Sequence, residues 1–359
     1  MRTDSLSDRR TGALILRIAI EKFPLKESFH ITGYTLVDID VVMVTLESDG
    51  HTGRGEASGV YYRKDDDAPG MARQIETVRP QIEVGIDRGS LQRLLPAGGA
   101  GNAVDCALWD LEAKQTDQAA WQIAGLDRPR SLLTTFTVGA GDPEKMAADA
   151  RAYGHAKALK LKLTGQPVDA DRVCAVRAAR PDVWLGVDAN QGFTRSLLDQ
   201  LLPVLVQARV QLIEQPFAAG QEAQLKGLNS PIAIAADESA QGLGDLPGLV
   251  GRYDVVNIKL DKCGGLTEGL AMARTARQLG LDVMVGNMVG TSLAMAPAFV
   301  VGQLCSVVDL DGPVLLSRDR SPSVHYENGR ISCPEELWGH RNGAPGGHRA
   351  RPRFGGHGI

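Results

Sequence analysis

The run Ala158-Leu159-Lys160-Leu161-Lys162-Leu163 alternates apolar and cationic residues without a break. Successive side chains of a strand point to opposite faces, so the three leucines face one way and both ammonium groups the other. Neighbouring segments extend the scheme. Short apolar stretches near residues 134, 184, 210, 232, 254, 282 and 306 are separated by amphipathic helical stretches. With the run at 158 they make a βα rhythm of roughly eight units, which predicts a parallel sheet whose length suits a closed barrel. A doubly wound open sheet calls for a phosphate fingerprint after its first strand, and Val138-Gly139-Ala140-Gly141-Asp142 does not supply G-x-G-x-x-G.

Upstream the pattern differs. Residues 13–23 and 38–47 alternate apolar with polar, and Ser48-Asp49-Gly50 is a turn signal, so a small antiparallel sheet is expected. Val104, Ala107, Leu108 and Leu111 then recur at helical spacing over 102–114. This makes residues 1–130 an α+β first domain, opened by a polar leader at 1–12, with the barrel over 131–312. Residues 339–359, rich in Gly, Arg, His and Pro, hold too little apolar surface to order themselves.

Composition narrows the function. The chain has 359 residues, 43% of them hydrophobic, enough for a large core in about two domains. Its 39 basic and 43 acidic residues give a net charge of −4 with no basic stripe, which disfavours nucleic acid and anionic membranes as partners. No apolar run approaches the roughly 20 residues of a membrane span and the start lacks a secretory core, so a cytoplasmic protein is expected. The five cysteines are odd in number and far apart, as reduced thiols would be, and no histidine pair has metal-ligand spacing.

In a barrel the C-terminal strand ends carry the chemistry. Three consecutive ends read Gly186-Val187-Asp188-Ala189-Asn190, Leu212-Ile213-Glu214-Gln215-Pro216 and Ala235-Ala236-Asp237-Glu238-Ser239. Strand parity turns Asp188, Glu214 and Asp237 inward at one height, where each pair repels by roughly 4 kcal/mol at about 4 Å and an effective dielectric near 20. A hard divalent cation such as Mg²⁺ would satisfy them, since no Cys or His favours zinc. The next strand, Val255-Val256-Asn257-Ile258-Lys259, brings a third inward lysine. Lys160 and Lys162 stand two strands before Glu214 and Lys259 two strands after, so the amines face each other across the metal. A substrate carboxylate held there would have its α-carbon between two lysines. One would remove the α-proton and the other return a proton to the opposite face, inverting the centre. A neighbouring cation and partial burial are expected to lower the base's pKa.

These segments, with Lys259-Leu260-Asp261-Lys262 and Gly264-Gly265-Leu266-Thr267, resemble the enolase superfamily and its muconate-lactonizing-enzyme-like subgroup over about residues 14–338. Lysine bases acting with Mg²⁺ are typical of that superfamily. The resemblance implies an α/β fold, a (β/α)7β barrel whose capping domain joins the N-terminal region to the C-terminal segment 313–338. Gly53-Arg54-Gly55-Glu56-Ala57 and Asn102-Ala103-Val104-Asp105-Cys106-Ala107-Leu108-Trp109-Asp110 look like its capping signatures. It also implies Lys162 and Lys259 as acid/base pair, Lys160 as their assistant, and Asn190 and Glu238 as supports behind the metal-binding acids.

Val308-Asp309-Leu310-Asp311-Gly312-Pro313 is similar to dipeptide epimerases of the subgroup, where Asp309 and Asp311 would hold a free ammonium group. Thr137, Val289 and Gly290 fall where such enzymes line their pocket. Epimerases specific for L-Ala-D/L-Glu place an arginine in the first capping loop, whereas Phe29-His30-Ile31-Thr32-Gly33-Tyr34-Thr35 has none. That leaves Arg63 or Lys64 to pair an acidic side chain, or Tyr34, Tyr61 and Tyr62 to contact a non-acidic one. A dipeptide epimerase is therefore expected, homo-oligomeric or not. A cycloisomerase, a dehydratase, a racemase of N-substituted amino acids and a silent metal-binding scaffold are the rivals.

Overall fold

The computed structural model describes residues 13–31 and 33–340. The leader 1–12, Thr32 and the tail from 341 onward lie outside the described residues.

The alternating N-terminal segments form antiparallel strands β1 (Ile15–Ile31), β2 (Tyr34–Ser48) and β3 (His51–Ala57). Asp49 and Gly50 make the β2–β3 turn with φ of 49° and 77°. One face of this sheet receives the helix Gly99–Thr116, and the approach is close. A Cβ on Gly53 or Gly55 would collide with the carbonyl of Ala107 or Ala103, so only glycine lets β3 lie on that helix. The helix is buried almost all round because its other side meets the second domain. There Asp105 accepts from the Thr267 amide at 2.9 Å and hydroxyl at 2.6 Å, and Trp109 Nε1 donates to Thr267 Oγ1 at 2.9 Å.

After a short strand β4 (Leu132–Leu133), eight parallel strands follow in chain order. They are β5 (Phe136–Val138), β6 (Ala158–Lys162), β7 (Trp184–Asp188), β8 (Leu212–Glu214), β9 (Ala233–Ala236), β10 (Val255–Ile258), β11 (Asp282–Val285) and β12 (Val307–Val308). The curled sheet brings its ends together, where the Thr135 amide donates to the Val308 carbonyl at 2.9 Å. Outward residues such as Leu159, Leu161, Val187, Ile213, Val256 and Val285 build the main core against the helices. Inward, Trp184, Leu212, Ala235, Val255 and Met284 form an apolar floor.

The regular βα rhythm holds except at two crossovers. Between β8 and β9 stands a single 3₁₀ turn, Glu222–Leu225, and between β9 and β10 only Leu243–Asp245 and Leu246–Leu249. Gly220, Gly227 and Gly251 hold positive φ in these connections, which interrupts a helix.

The C-terminal segment returns to the first domain, with Ser317 N on the Pro24 carbonyl at 2.9 Å and Trp338 Nε1 on that of Arg54 at 2.9 Å. Between those anchors a hairpin, β13 (His325–Glu327) and β14 (Arg330–Ser332), joins β4 instead. Gly339, expected in the disordered tail, is bound. Its amide donates to Asp110 at 2.8 Å and its carbonyl accepts from Ala120 N at 2.7 Å. The buried Asp110 carboxylate supplies the anchor that composition alone does not show. Among the described residues no helix is long and apolar enough to cross a membrane.

Candidate active site

Lys160 and Lys162 both turn inward from β6 and are buried, with 4% and 8% of their surface exposed. In the sheet register Lys162 pairs with Asp188 and Asp188 with Glu214, so these three stand level. Glu214 pairs with Ala235, which places Asp237 two residues further along. The expected common height thus comes through the stagger of tilted barrel strands, not through one flat register row.

The charges interlock. Lys162 Nζ lies 2.6 Å from Asp188 Oδ2, and Lys259 Nζ lies 2.7 Å from Asp237 Oδ2. Lys160 Nζ is bonded to Asp309 and lies 3.4 Å from Glu214 and 3.6 Å from Asp188. β6 and β10 are four strands apart in a series of eight, so Lys162 and Lys259 enter from opposite walls with the Glu214 strand midway. Each leans on a different carboxylate.

Sequence reasoning passed over three supporting groups. Lys262 Nζ, fully buried, donates to Asp237 Oδ1 at 2.5 Å and to the Asn257 carbonyl at 3.0 Å. Asn257 Nδ2 donates to Glu214 at 2.8 Å. Gln215 Oε1 accepts from the amides of Asp237 at 2.9 Å and Ser239 at 3.1 Å. Asn257 was legible, since it precedes Lys259 by two residues on the same strand face. Lys262 was not, because the chain turns helical at Leu260–Cys263 and parity ends there.

Burial opposes charge on both Lys160 and Lys259. It is outweighed at Lys160 by Asp309, Glu214 and Asp188, and at Lys259 by Asp237 and Glu214, so both ammonium groups are held well above the usual lysine range. Burial also pushes Glu214 up to about 7, reinforced by Asp188, and Glu238 up to about 8, reinforced by Asp237. Asp237 is held below the ordinary range because Lys259 and Lys262 overcome its burial.

At the β5–β12 seam Asp309 accepts from the Thr135 hydroxyl as well as Lys160, and Asp311 Oδ2 accepts from the Thr137 amide at 2.6 Å. Burial, then Asp309, raise Asp311 to about 6. Val289 gives its carbonyl to Ser58 Oγ at 2.6 Å, and Gly290 lies against Ser58 and Glu56. Tyr34 sits 44% exposed over the site's edge, its ring against Tyr61. Arg63 is placed differently from the substrate role expected of it. Its guanidinium is bonded to Gln241 and reaches the Ala97 and Lys262 carbonyls at 3.1 Å, bracing the loop against the barrel.

Among the described residues no three Asp, Glu, His or Cys side chains stand at metal-ligand spacing. Each of Asp188, Glu214 and Asp237 aims an oxygen at a lysine instead. The donor chemistry nevertheless fits a hard cation, being entirely carboxylate oxygen. Beside it Asn190 Oδ1 and Glu238 Oε2 are buried without hydrogen-bond partners.

Comparison with known families settles the wider relationship. The mandelate racemase / muconate lactonizing enzyme N-terminal domain matches residues 14–125, and the enolase C-terminal domain-like family matches 144–340. The chain belongs to the enolase superfamily. Among superfamily relatives, an L-Ala-D/L-Glu epimerase of Escherichia coli is 40% identical over 318 residues, covering 88% of this chain and 98% of that protein. An N-acetyl-D-glutamate racemase of a Pseudoalteromonas species is 41% identical over 255 residues, covering 71% and 80%. In structure the chain is similar to an Agrobacterium tumefaciens enolase family member with homology to dipeptide epimerases, solved with sodium and L-Ala-L-Glu. That match has a TM-score of 0.87, 40% identity and coverage of 91% of this chain and 100% of the other. A dipeptide epimerase of Enterococcus faecalis complexed with Mg and L-Leu-L-Tyr matches with a TM-score of 0.83, 27% identity and coverage of 90% and 97%.

Proposed function

We propose that this enolase-superfamily chain is a Mg²⁺-dependent dipeptide epimerase that inverts an α-carbon by proton transfer between Lys162 and Lys259. The observation that carries the reading is the entry of these two ammonium groups from opposite walls, β6 and β10, each steered by its own carboxylate. Asp188, Glu214 and Asp237 would hold the metal. Bound there, Mg²⁺ would supply positive charge to offset the second negative charge that develops on the substrate carboxylate as its α-proton leaves.

The chain's own residues do the rest. Lys162 and Lys259 would lie on the two faces of the α-carbon; a cation held by Asp188, Glu214 and Asp237 would draw off the carboxylate charge that keeps Lys259 protonated, so that one lysine could take the proton and the other deliver one. Lys160, fixed by Asp309, keeps a positive charge beside the substrate carboxylate. Asp311 and Asp309 receive the free ammonium group, which needs carboxylate partners once shielded from water. The apolar floor below strengthens these charge contacts by excluding solvent.

Support for a second reading, racemisation of an N-acylated amino acid, comes from the Pseudoalteromonas relative. The two differ in whether the seam carboxylates meet a cation. Proton NMR of a dipeptide library in D₂O, with and without Mg²⁺, tests both. Metal-dependent α-hydrogen exchange and epimerisation of free-amine dipeptides, lost in Lys162→Ala and Lys259→Ala, is expected. Turnover of N-acetyl amino acids alone would refute the dipeptide reading, and full activity in either lysine variant would refute the mechanism.

A further inference from the structure

The connection at residues 286–291, between β11 and the helix Ser292–Gly302, is held from three directions. From the first domain, the buried Glu56 of β3 accepts the Thr291 amide through Oε1 at 2.9 Å and the Thr291 hydroxyl through Oε2 at 2.7 Å, and Ser58 Oγ donates to the Val289 carbonyl at 2.6 Å. From the barrel seam, Asn287 Nδ2 donates to the Asp309 carbonyl at 2.6 Å, and a Cβ on Gly312 would strike Asn287 Oδ1 and the Gly290 backbone. From the C-terminal segment, Asp319 accepts the Ser292 amide at 2.9 Å, and Arg320 Nε donates to Glu56 Oε2 at 2.6 Å and to Thr291 Oγ1 at 2.9 Å.

Arg320 supplies the charge in this arrangement. Its planar fork spans several elements at once, since besides Glu56 and Thr291 it reaches Glu21 of β1 at 3.0 Å, and its guanidinium carbon lies 5.2 Å from the centre of the Phe23 ring. The Glu56 side chain has no exposed surface, and among the described residues Arg320 is the cation paired with it. A buried carboxylate stripped of its cation is left uncompensated, because water does not reach it to replace the charge. It then takes up a proton, and the Thr291 amide and hydroxyl lose a fully charged acceptor. The loosened connection carries Val289 and Gly290 with it and, through Asn287, the strand end that bears Asp309 and Asp311. Lys162 and Lys259 take their own contacts from Asp188 and Asp237, outside this set.

We propose that Arg320 is a positioning residue of this enzyme: acting through Glu56, it sets the 286–291 connection and, with it, the seam carboxylates that receive the substrate's free amine. The proposal rests on the dipeptide reading and adds to it a residue that lies outside the site. Loss of Arg320 therefore weakens substrate binding and leaves proton transfer by the two lysines nearly unchanged.

The test uses the full chain with Mg²⁺ and, as probe, the free-amine dipeptide of the library that the unaltered chain exchanges fastest in D₂O. Arg320→Ala is expected to raise KM about tenfold with kcat within about twofold. Backbone amide exchange, read by mass spectrometry, is expected to accelerate over residues 286–292 but not over β6 and β10. Glu56→Gln should do the same, and the double variant should be no worse than Arg320→Ala, since the two residues act in series. Arg320→Lys keeps the charge without the fork, so its KM should rise about threefold, and it carries the test if the alanine variant does not fold. A loss carried by kcat, a KM unchanged in every folded variant, or amide exchange raised evenly across the molecule would overturn the proposal while leaving the epimerase reading intact. No exchange of any dipeptide by the unaltered chain would overturn the dipeptide reading, and this one with it.

Discussion

Asp261 ties the first domain to the barrel beside Lys259. It lies in the turn that follows Lys259, and its Oδ1 accepts from the amides of Ser58 and Gly59, each at 2.9 Å, just before the tyrosines of the loop. Asp261→Ala leaves the buried Gly59 amide and the half-buried Ser58 amide without an acceptor. At about 1–3 kcal/mol for each, the loss is about 4 kcal/mol, a large share of a typical domain's stability of about 5–15 kcal/mol. Asp261→Asn keeps an oxygen for those amides but cannot ionise. Burial pushes the Asp261 carboxyl up to about 7, the two amides pull it back, and nearby Asp66 and Glu56 push it further up. Between the unfolded value near 4 and the folded value near 7 the native state therefore holds the extra proton. The stability this represents is fully present below about pH 4 and is lost as pH rises through about 7, a swing of about 4 kcal/mol for a shift of about three units. Urea unfolding of wild type and both variants at pH 5 and pH 8 reads this directly. The asparagine variant should gain on wild type as pH rises, and the alanine variant should be weaker than wild type at pH 5 with the gap closing toward pH 8. Parallel pH profiles for wild type and Asp261→Asn would refute the argument.

Three further outcomes follow from the same contacts. Lys262→Met removes donors from Asp237 and from the Asn257 carbonyl, so Mg²⁺-dependent turnover should fall at least tenfold in steady-state assays. Gly55→Val drives a side chain into the Ala103 carbonyl. It should destabilise the chain by about 2–3 kcal/mol, seen as a lower urea midpoint, with wild-type stability as the contrary result. Chelation of Mg²⁺ should abolish α-hydrogen exchange while leaving the circular dichroism spectrum unchanged, since the fold's core is apolar and independent of the site. Exchange that persists in excess chelator would contradict the metal role.

Strand parity carried much of the reading. An inward lysine at 160 implies one at 162, and the same rule turns Asp188 and Glu214 inward, as the register shows. The limits lie where local periodicity stops carrying information. Lys262 approaches Asp237 through a helical turn, and Asp309 meets Lys160 across a seam that joins residues 149 positions apart in sequence. Arg63 sits in a loop, where exposure in sequence terms gives no hint of the Gln241 and Lys262 partners that occupy it. The helical patterns expected after β8 and β9 fail for a local reason, the positive-φ glycines at 220, 227 and 251.

The seam between β5 and β12 has a consequence for anyone redesigning this protein. The carboxylates of Asp309 and Asp311 fasten the first strand region to the last through Thr135 and Thr137, and the same two groups are the ones assigned to greet an incoming amine. Replacing them to admit a neutral guest would also unbutton the cylinder along its length. Compensating stitches elsewhere on that edge would have to precede any change of guest.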